Sequence, residues 1–440
     1  MNKSFSKGLF IFSNDLRLHD QAALRQASLF CERLVCIFCI DEQWSKETYF
    51  GSRPMGSHRH QFLLQSLRQL DQQLVDLGHK LHIYQGNSLQ IIEGLVSKTA
   101  IDAVFSSFQA GLTESTQWQY LKTRLTHCHF QTTETHSLFY QSQHQWSKKT
   151  FPESFNEFKD RMEQQIVDPP IATITELPPP FPVLAPDVQV NLNTNGPTLA
   201  INGGELAGLK ILQQLLDRYQ KHPDDCINNT VLENRDSTAL SPWLANGSVS
   251  VKTVFSRIDQ LQKTKALLDP RIQSLQIKLL RREYFQWYAV HHASRIFTAQ
   301  GVSQQHPLTS VYPQRFKQWC YGNTPWQIVN AYMNQLRNTG MLSNRGRMVV
   351  ASCLTNELQV DWRWGAAYFQ QQLIDYDVAI NWSSWQEIAG VSDKSSNKMH
   401  IDLSEKRLND MDKRIQDKWS DKPAFYSIDH VDAADWPISE

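Results

Sequence analysis

The sequence predicts an α/β domain built on a parallel sheet, then a long linker, then an all-helical second domain. Three observations predict it. Short apolar runs alternate with helical periodicity over the first third, eight of the 18 prolines crowd between Pro169 and Pro197, and from about Asn202 the pattern is helical almost throughout. Strands buried on both faces read as continuous apolar runs, and strand–helix alternation implies a parallel sheet wound with helices.

The predicted strands are GLFIF (8–12), LVCIFCI (34–40), KLHIYQG (80–86) and DAVFSS (102–107). Between them RHQFLLQSLRQLDQQLVDLG (59–78) carries apolar residues at helical spacing and stops at Gly78. DPPIATITELPPPFPVLAPDVQV cannot be helix, because proline lacks the amide donor, and is read as a linker running over the surface. Beyond it GGELAGLKILQQLLDRY, VKTVFSRIDQLQ, RIQSLQIKLLRREYFQWYAVHH and PWQIVNAYMNQLRNTG all have helical period. Leu408, Met411, Ile415 and Trp419 form an apolar stripe in a charged segment, expected to pack on the core, with a partner surface as the alternative. The domains are placed at 1–135, 136–204 (linker) and 205–440.

Composition narrows the class. Over 440 residues, Lys+Arg and Asp+Glu are both 44, so bulk charge points to no partner, although a local basic patch remains open. No apolar run reaches a membrane span, and the N-terminus lacks an apolar run followed by a small-residue cleavage site. The seven cysteines have no disulfide spacing, so a reducing cytoplasm is the expected compartment. Cys31, Cys36 and Cys39 could be a metal cluster by count, but LVCIFCI reads as a buried strand, where cysteine is at home. No GxGxxG is present, so the usual dinucleotide fingerprint is absent.

The chemistry concentrates late. Ten of the 13 tryptophans follow residue 240, which makes the second half the place to look for a cofactor or a redox path. In LIDYDVAINWSSWQEIAG (373–390), Asp377, Asn381 and Trp385 lie four residues apart and would share one helix face. A polar group beside an aromatic on a half-buried face needs a partner, either another side chain or a large polar ligand.

Several segments together resemble the photolyase/cryptochrome superfamily: IFSNDLRLHDQAAL (11–24), MGSHRHQFLLQSL (55–67), ALSPWLANGSVS (239–250), TGMLSNRGRMVVASCL (339–354) and VDWRWGAAYFQQQLIDYDVAINWSSWQEIAGVSD (360–393). The last two look most like its DASH cryptochrome branch. The resemblance covers nearly the whole chain in order and weakens after residue 393. It implies a Rossmann-like α/β domain, a long linker and a helical FAD domain. It also implies that Asp375 and Asp377 take the two flavin-binding aspartates, Arg347 pairs with the first of them, and Asn381 faces flavin N5. Ser237, Thr238, Ala239, Leu240 and Ser241 would hold the diphosphate; ordinary helix capping is the structural alternative. Trp385 and Trp362 match the first two members of the tryptophan relay, and Glu114 matches the glutamate that holds a folate antenna (methenyltetrahydrofolate).

The chain departs from the family where substrate would sit. KLLRRE places Lys278 and Arg281 where cyclobutane-dimer photolyases have a Glu and a Trp, and Glu387 stands where they stack a second aromatic. Asn344, Arg345 and Met348 match lesion or DNA contacts. Two lost stacking platforms argue against holding an extruded base, at about 1–3 kcal/mol each, whereas Lys278, Arg281, Arg282 and Arg345 would make a basic mouth for phosphate. The His291–His292 doublet reads as helix surface. A third relay tryptophan is expected near Thr309–Ser310 and none is there; the phosphate-side tyrosine is expected near Asp225 or Cys226 and is also missing.

The leading reading is a DASH-type blue-light flavoprotein that binds FAD, is photoreduced through tryptophans and associates with single-stranded DNA or RNA. The alternatives are a light-driven cyclobutane pyrimidine dimer photolyase, which would be a lyase acting on single-stranded DNA, and a degenerate member that binds a protein partner without flavin.

Overall fold

Residues 3–144, 146, 150–185, 190–192, 196–220, 240–264, 270–307, 309–393, 398–404 and 407–420 are described by the structure, a computed structural model. The apolar runs of the first third form the predicted strands, joined by helices: β1 (Phe5–Phe12), α1 (Ala22–Phe30), β2 (Cys31–Asp41), α2 (Ser57–Asp76), β3 (Leu81–Gly86), α3 (Ser88–Thr99), β4 (Ala103–Ser107), α4 (Leu112–Arg124) and β5 (His129–Thr133). The five strands lie in the order β3-β2-β1-β4-β5, and every pairing is parallel. β5 escapes the sequence reading because HFQTT buries only Phe130 and so shows no apolar run.

The chain reverses direction across the sheet between β1 and β4, the place where such sheets leave a crevice. Here the protein's own polar groups occupy it. Ser107 Oγ and Gln21 Nε2 donate to the Asp15 carboxylate at 2.5 and 2.9 Å, and Thr135 Oγ1 donates to Ser107 Oγ at 2.7 Å. Burial raises the Asp15 pKa, and these hydrogen bonds work against that rise. The cysteines of β2 are strand residues; burial pushes the thiols of Cys31 and Cys39 up to about 12. No group of three His, Cys, Asp or Glu side chains that could hold a metal occurs among the described residues.

After β5 come α5 (Gln141–His144) and α6 (Phe155–Met162), and then chain without helix or strand over the described residues of the proline-rich stretch. That stretch is pinned by its carbonyls: Arg33 donates to Pro180 O at 2.9 Å, and Tyr84 OH donates to Leu184 O at 2.5 Å. The helical half contains α7 (Glu205–Gln220), α8 (Ser241–Ala245), α9 (Val251–Thr264), α10 (Pro270–His292), α11 (Pro313–Tyr321), α12 (Gln327–Thr339), α13 (Asn344–Ser352), α14 (Trp362–Gln372), α15 (Val378–Ala389) and α16 (Asp410–Trp419). Two compact units result: one holds the sheet, the linker and helices through His291, and the other holds residues 47–59 and the chain from His292 onward. No described helix is long and apolar enough to cross a membrane.

In the first unit α10 carries a fully buried Glu283, which accepts from the Leu138 and Phe139 amides and from Trp287 Nε1 at 2.8, 3.3 and 2.8 Å. His291 is not surface: it is buried, with its ring 4.7 Å from that of Phe151. The helical period fails as a guide there because α10 is buried on every side from Arg282 to Ala289, its polar groups included.

His144 stacks on Trp146 at 4.1 Å and meets the edge of Trp287 at 4.4 Å. Burial, with the neighbouring His291 adding to it, lowers its pKa to about 4. Between that value and the ordinary histidine value the unfolded chain takes up a proton that the folded chain refuses, so stability falls as pH drops from about 6.5 to 4. Thermal melts across that range are expected to show the loss, and His144→Gln, which cannot titrate, to flatten it. Equal slopes for the two proteins would remove His144 as the cause.

In the second unit, three of the four stripe residues, Met411, Ile415 and Trp419, lie on α16, which packs against α12, and Leu408 precedes the helix. Tyr332 OH donates to Asp412 Oδ1 at 2.7 Å and Asn334 Nδ2 to Trp419 O at 3.1 Å. The helix starts at a reciprocal cap between Asn409 and Asp412.

Candidate functional site in the α14–α15 hairpin

α14 starts because Asp361 caps it, accepting from Arg363 N at 2.9 Å. It runs as WRWGAAYFQQQ, and its Gly365-Ala366-Ala367 stretch lets another helix come close. α15 starts at Asp377, whose carboxylate accepts from Ile380 N at 3.1 Å, and stops at Gly390, which has φ +71°. Asp377, Asn381 and Trp385 therefore fall on one face of α15, as their spacing predicts.

Each side chain has a defined seat. Asn381 is 6% exposed and its Nδ2 donates to Ala366 O on α14 at 3.0 Å. Among the described residues the amide makes no other side-chain bond, so a second N–H and the carbonyl oxygen remain unspent in a nearly dry place. Trp385, 2% exposed, lays its six-membered ring over Gly365, where a β-carbon would overlap it. Trp362 opens α14, is fully buried, and donates Nε1–H to Ala299 O at 3.1 Å. Gly365→Ala is expected to push Trp385 off its seat and to cost about 1–3 kcal/mol by overpacking. A urea midpoint equal to that of the parent protein would show that the ring can shift freely.

Asp375 lies in the turn before α15. Arg347 Nη2 sits astride its two oxygens at 2.8 and 2.6 Å, and Arg347 also donates to Leu342 O. Two residues earlier on α13, Arg345 serves a different acid, donating to Asp412 Oδ2 at 3.3 Å. Its charge is thus shared with the fully buried Asp412 of α16. Asn344 is exposed at the start of α13, with Nδ2 3.5 Å from Met348 Sδ, and Glu387 is half-buried on α15.

Arg59 was not expected at this site, and Trp382, beside Trp385 in the sequence, was expected there without a role. Arg59 lies with its guanidinium 4.6 Å over the Tyr376 ring; burial lowers its pKa to about 10, while Tyr376 and Asp375 work the other way. Trp382 meets Trp362 with ring centroids 5.8 Å apart and donates Nε1–H to Tyr376 Oη at 3.2 Å. Trp319 on α11 meets Trp385 with ring centroids 6.4 Å apart. The position expected to carry a third relay tryptophan is beside Trp362 in space, for Ser310 forms an isolated bridge with Val360 and accepts from Asp361 N at 2.9 Å, but it holds no indole.

In the first unit Lys278 and Arg281 are exposed on α10, and Arg281 lies over the Phe155 and Phe285 rings at 5.4 Å each. Arg282 does not join a basic mouth: it is buried and donates to His136 O at 2.7 Å and Leu244 O at 3.4 Å, because the helix turns it to the core side. Leu240 is buried and Ser241 begins α8, with Pro242 in the first turn. Ser237, Thr238, Ala239, Asp225 and Cys226 lie outside the described residues. Glu114 is exposed in the first turn of α4, its carboxylate folded over Gly111, where an acid suits the helix dipole.

A family model described as DNA photolyase matches residues 9–181, and one described as the FAD binding domain of DNA photolyase matches residues 275–419. A cryptochrome DASH of Idiomarina loihiensis is 37% identical over 98% of this chain and 96% of its own length. The chain belongs to the photolyase/cryptochrome family, with the DASH cryptochromes. A cryptochrome DASH of Vibrio parahaemolyticus is 34% identical, covering 98% of this chain and 97% of that one. The crystal structure of a Synechocystis cryptochrome superposes with a TM-score of 0.83 at 27% identity, over 95% of this chain and 89% of that one. As a member of this family the chain is a FAD-binding, cryptochrome-like flavoprotein. The unspent amide of Asn381, with Asp375 already neutralised by Arg347, fits the polar edge of a flavin ring.

Proposed function

We propose that the chain is a blue-light flavoprotein whose FAD is photoreduced at the expense of Trp385 and then Trp362. The reading rests on one observation above all: α14 and α15 hold three buried indoles and a buried amide with capacity to spare in one packed hairpin. When bound, FAD supplies the blue absorption and accepts the electron. Arg347, Asp375, Asp377 and Asn381 would hold its ring end. Asn381 presents a donor and an acceptor at N5, so it serves more than one protonation state of that atom. Trp385 would give up an electron and Trp362 would refill it, so that the charge moves on from Trp385 and its return slows.

An absorption spectrum of the purified protein before and after blue light, with a thiol present, tests this. A flavin spectrum that bleaches under light supports it. A colourless protein that takes up no added FAD would favour the degenerate, partner-binding alternative.

Single-stranded nucleic acid is the proposed partner. Exposed Lys278 and Arg281 supply phosphate-binding charge, and the exposed Asn344 beside Met348 matches a lesion contact. That last match also favours the second reading, dimer repair. Illuminating reduced protein with a dimer-containing oligonucleotide separates the two, because repair restores thymine absorbance. Glu114 is the proposed hold for a folate antenna, which would add a near-ultraviolet band to the spectrum.

A further inference from the structure

The charge that reaches Trp362 needs an outlet, and the position where the resemblance places one is filled by Thr309 and Ser310. We infer that Trp382 is the third station of the electron relay. The inference rests on the photoreduction reading above and adds to it the route by which charge leaves.

Trp382 is the indole in ring contact with Trp362, at 5.8 Å and 75°. Its Nε1–H donates to Tyr376 Oη at 3.2 Å, and an oxygen acceptor on that proton offsets positive charge on an oxidised indole. Tyr376 itself is a poor place for the charge. The Arg59 guanidinium lies 4.6 Å over its ring, and a cation there holds the ring's electrons more tightly. Phe50 and Phe297 enclose Trp382 at 6.2 and 4.9 Å, and phenyl rings are too hard to oxidise to compete. Beyond Phe50 stands Trp364, 5.7 Å from Phe50 and 6.3 Å from Tyr49, which is 71% exposed. The route Trp362–Trp382–Trp364 therefore ends at a surface that a soluble reductant can reach.

The electrons balance. Trp385 would lose one electron to the cofactor, Trp362 would refill Trp385, Trp382 would refill Trp362, and a soluble thiol or ascorbate would return one electron to Trp382 through Trp364. No covalent bond forms or breaks in the protein. A competing branch leaves Trp385 through Trp319.

Flash photolysis of the FAD-loaded protein, with Trp382→Phe and Trp319→Phe, distinguishes these. The tryptophanyl radical is expected to decay at least about tenfold faster in Trp382→Phe, and at the parent rate in Trp319→Phe. Bound-flavin absorbance and melting temperature check that each variant is folded. A second readout needs no variant: mass spectrometry of parent protein illuminated without reductant should find oxidation at Trp382 and Trp364 rather than Trp319. Parent-like decay in Trp382→Phe, or oxidation confined to Trp319, would overturn the inference. Absence of any tryptophanyl radical in the parent protein would instead overturn the photoreduction reading, and this inference with it.

Discussion

Trp385→Phe is expected to slow photoreduction of the FAD-loaded protein by more than about tenfold, equivalent to about 1.4 kcal/mol on the rate-limiting barrier, while flavin stays bound. Phenylalanine keeps an aromatic ring beside Phe369, whose ring lies 5.1 Å from that of Trp385, but leaves the far edge of the seat over Gly365 empty. It cannot carry the charge, because a phenyl ring gives up an electron far less readily than an indole. The structural cost of the smaller ring is about 1–3 kcal/mol, which a thermal melt reads separately from the light reaction. Photoreduction at the parent rate, with the variant folded and yellow, would remove Trp385 from the relay.

Asp375→Asn is expected to destabilise the chain by about 2–3 kcal/mol, below the full cost of breaking a buried pair. The discount has two sources: the Arg347 side chain is 26% exposed, and it keeps the Leu342 carbonyl when the carboxylate is neutralised. What remains is a guanidinium short of a counter-charge, and Arg59 loses the same favourable carboxylate. The same variant is expected to release flavin more readily, measured by filtration of the loaded protein. Combining it with Arg347→Met should recover part of the loss, since the two residues share one interaction. A cost under about 0.5 kcal/mol for Asp375→Asn would show the pair to be a solvent-screened contact.

Where the sequence was readable, a local rule operated. The four strands read from apolar runs occur as β1 to β4, and Gly78, Gly340 and Gly390 stand in left-handed backbone just past α2, α12 and α15. The face shared by Asp377, Asn381 and Trp385 followed from helical spacing alone. β5 was missed because an edge strand with one buried residue has no pattern to read. Arg282 was misplaced because charge predicts exposure, whereas this guanidinium has backbone carbonyls to satisfy it in the core.

The sequence by itself determined the order of strands and helices, the family, and the residues from which a flavin site can be built, because these follow from periodicity and motif. Only the tertiary structure decided which indole touches Trp362, which acid holds Arg345 rather than Arg347, and that Arg59 lies over Tyr376. Those outcomes depend on side chains 20 or more residues apart, or on different elements, meeting in space. No spacing rule reaches across such separations; packing of one helix against another sets them.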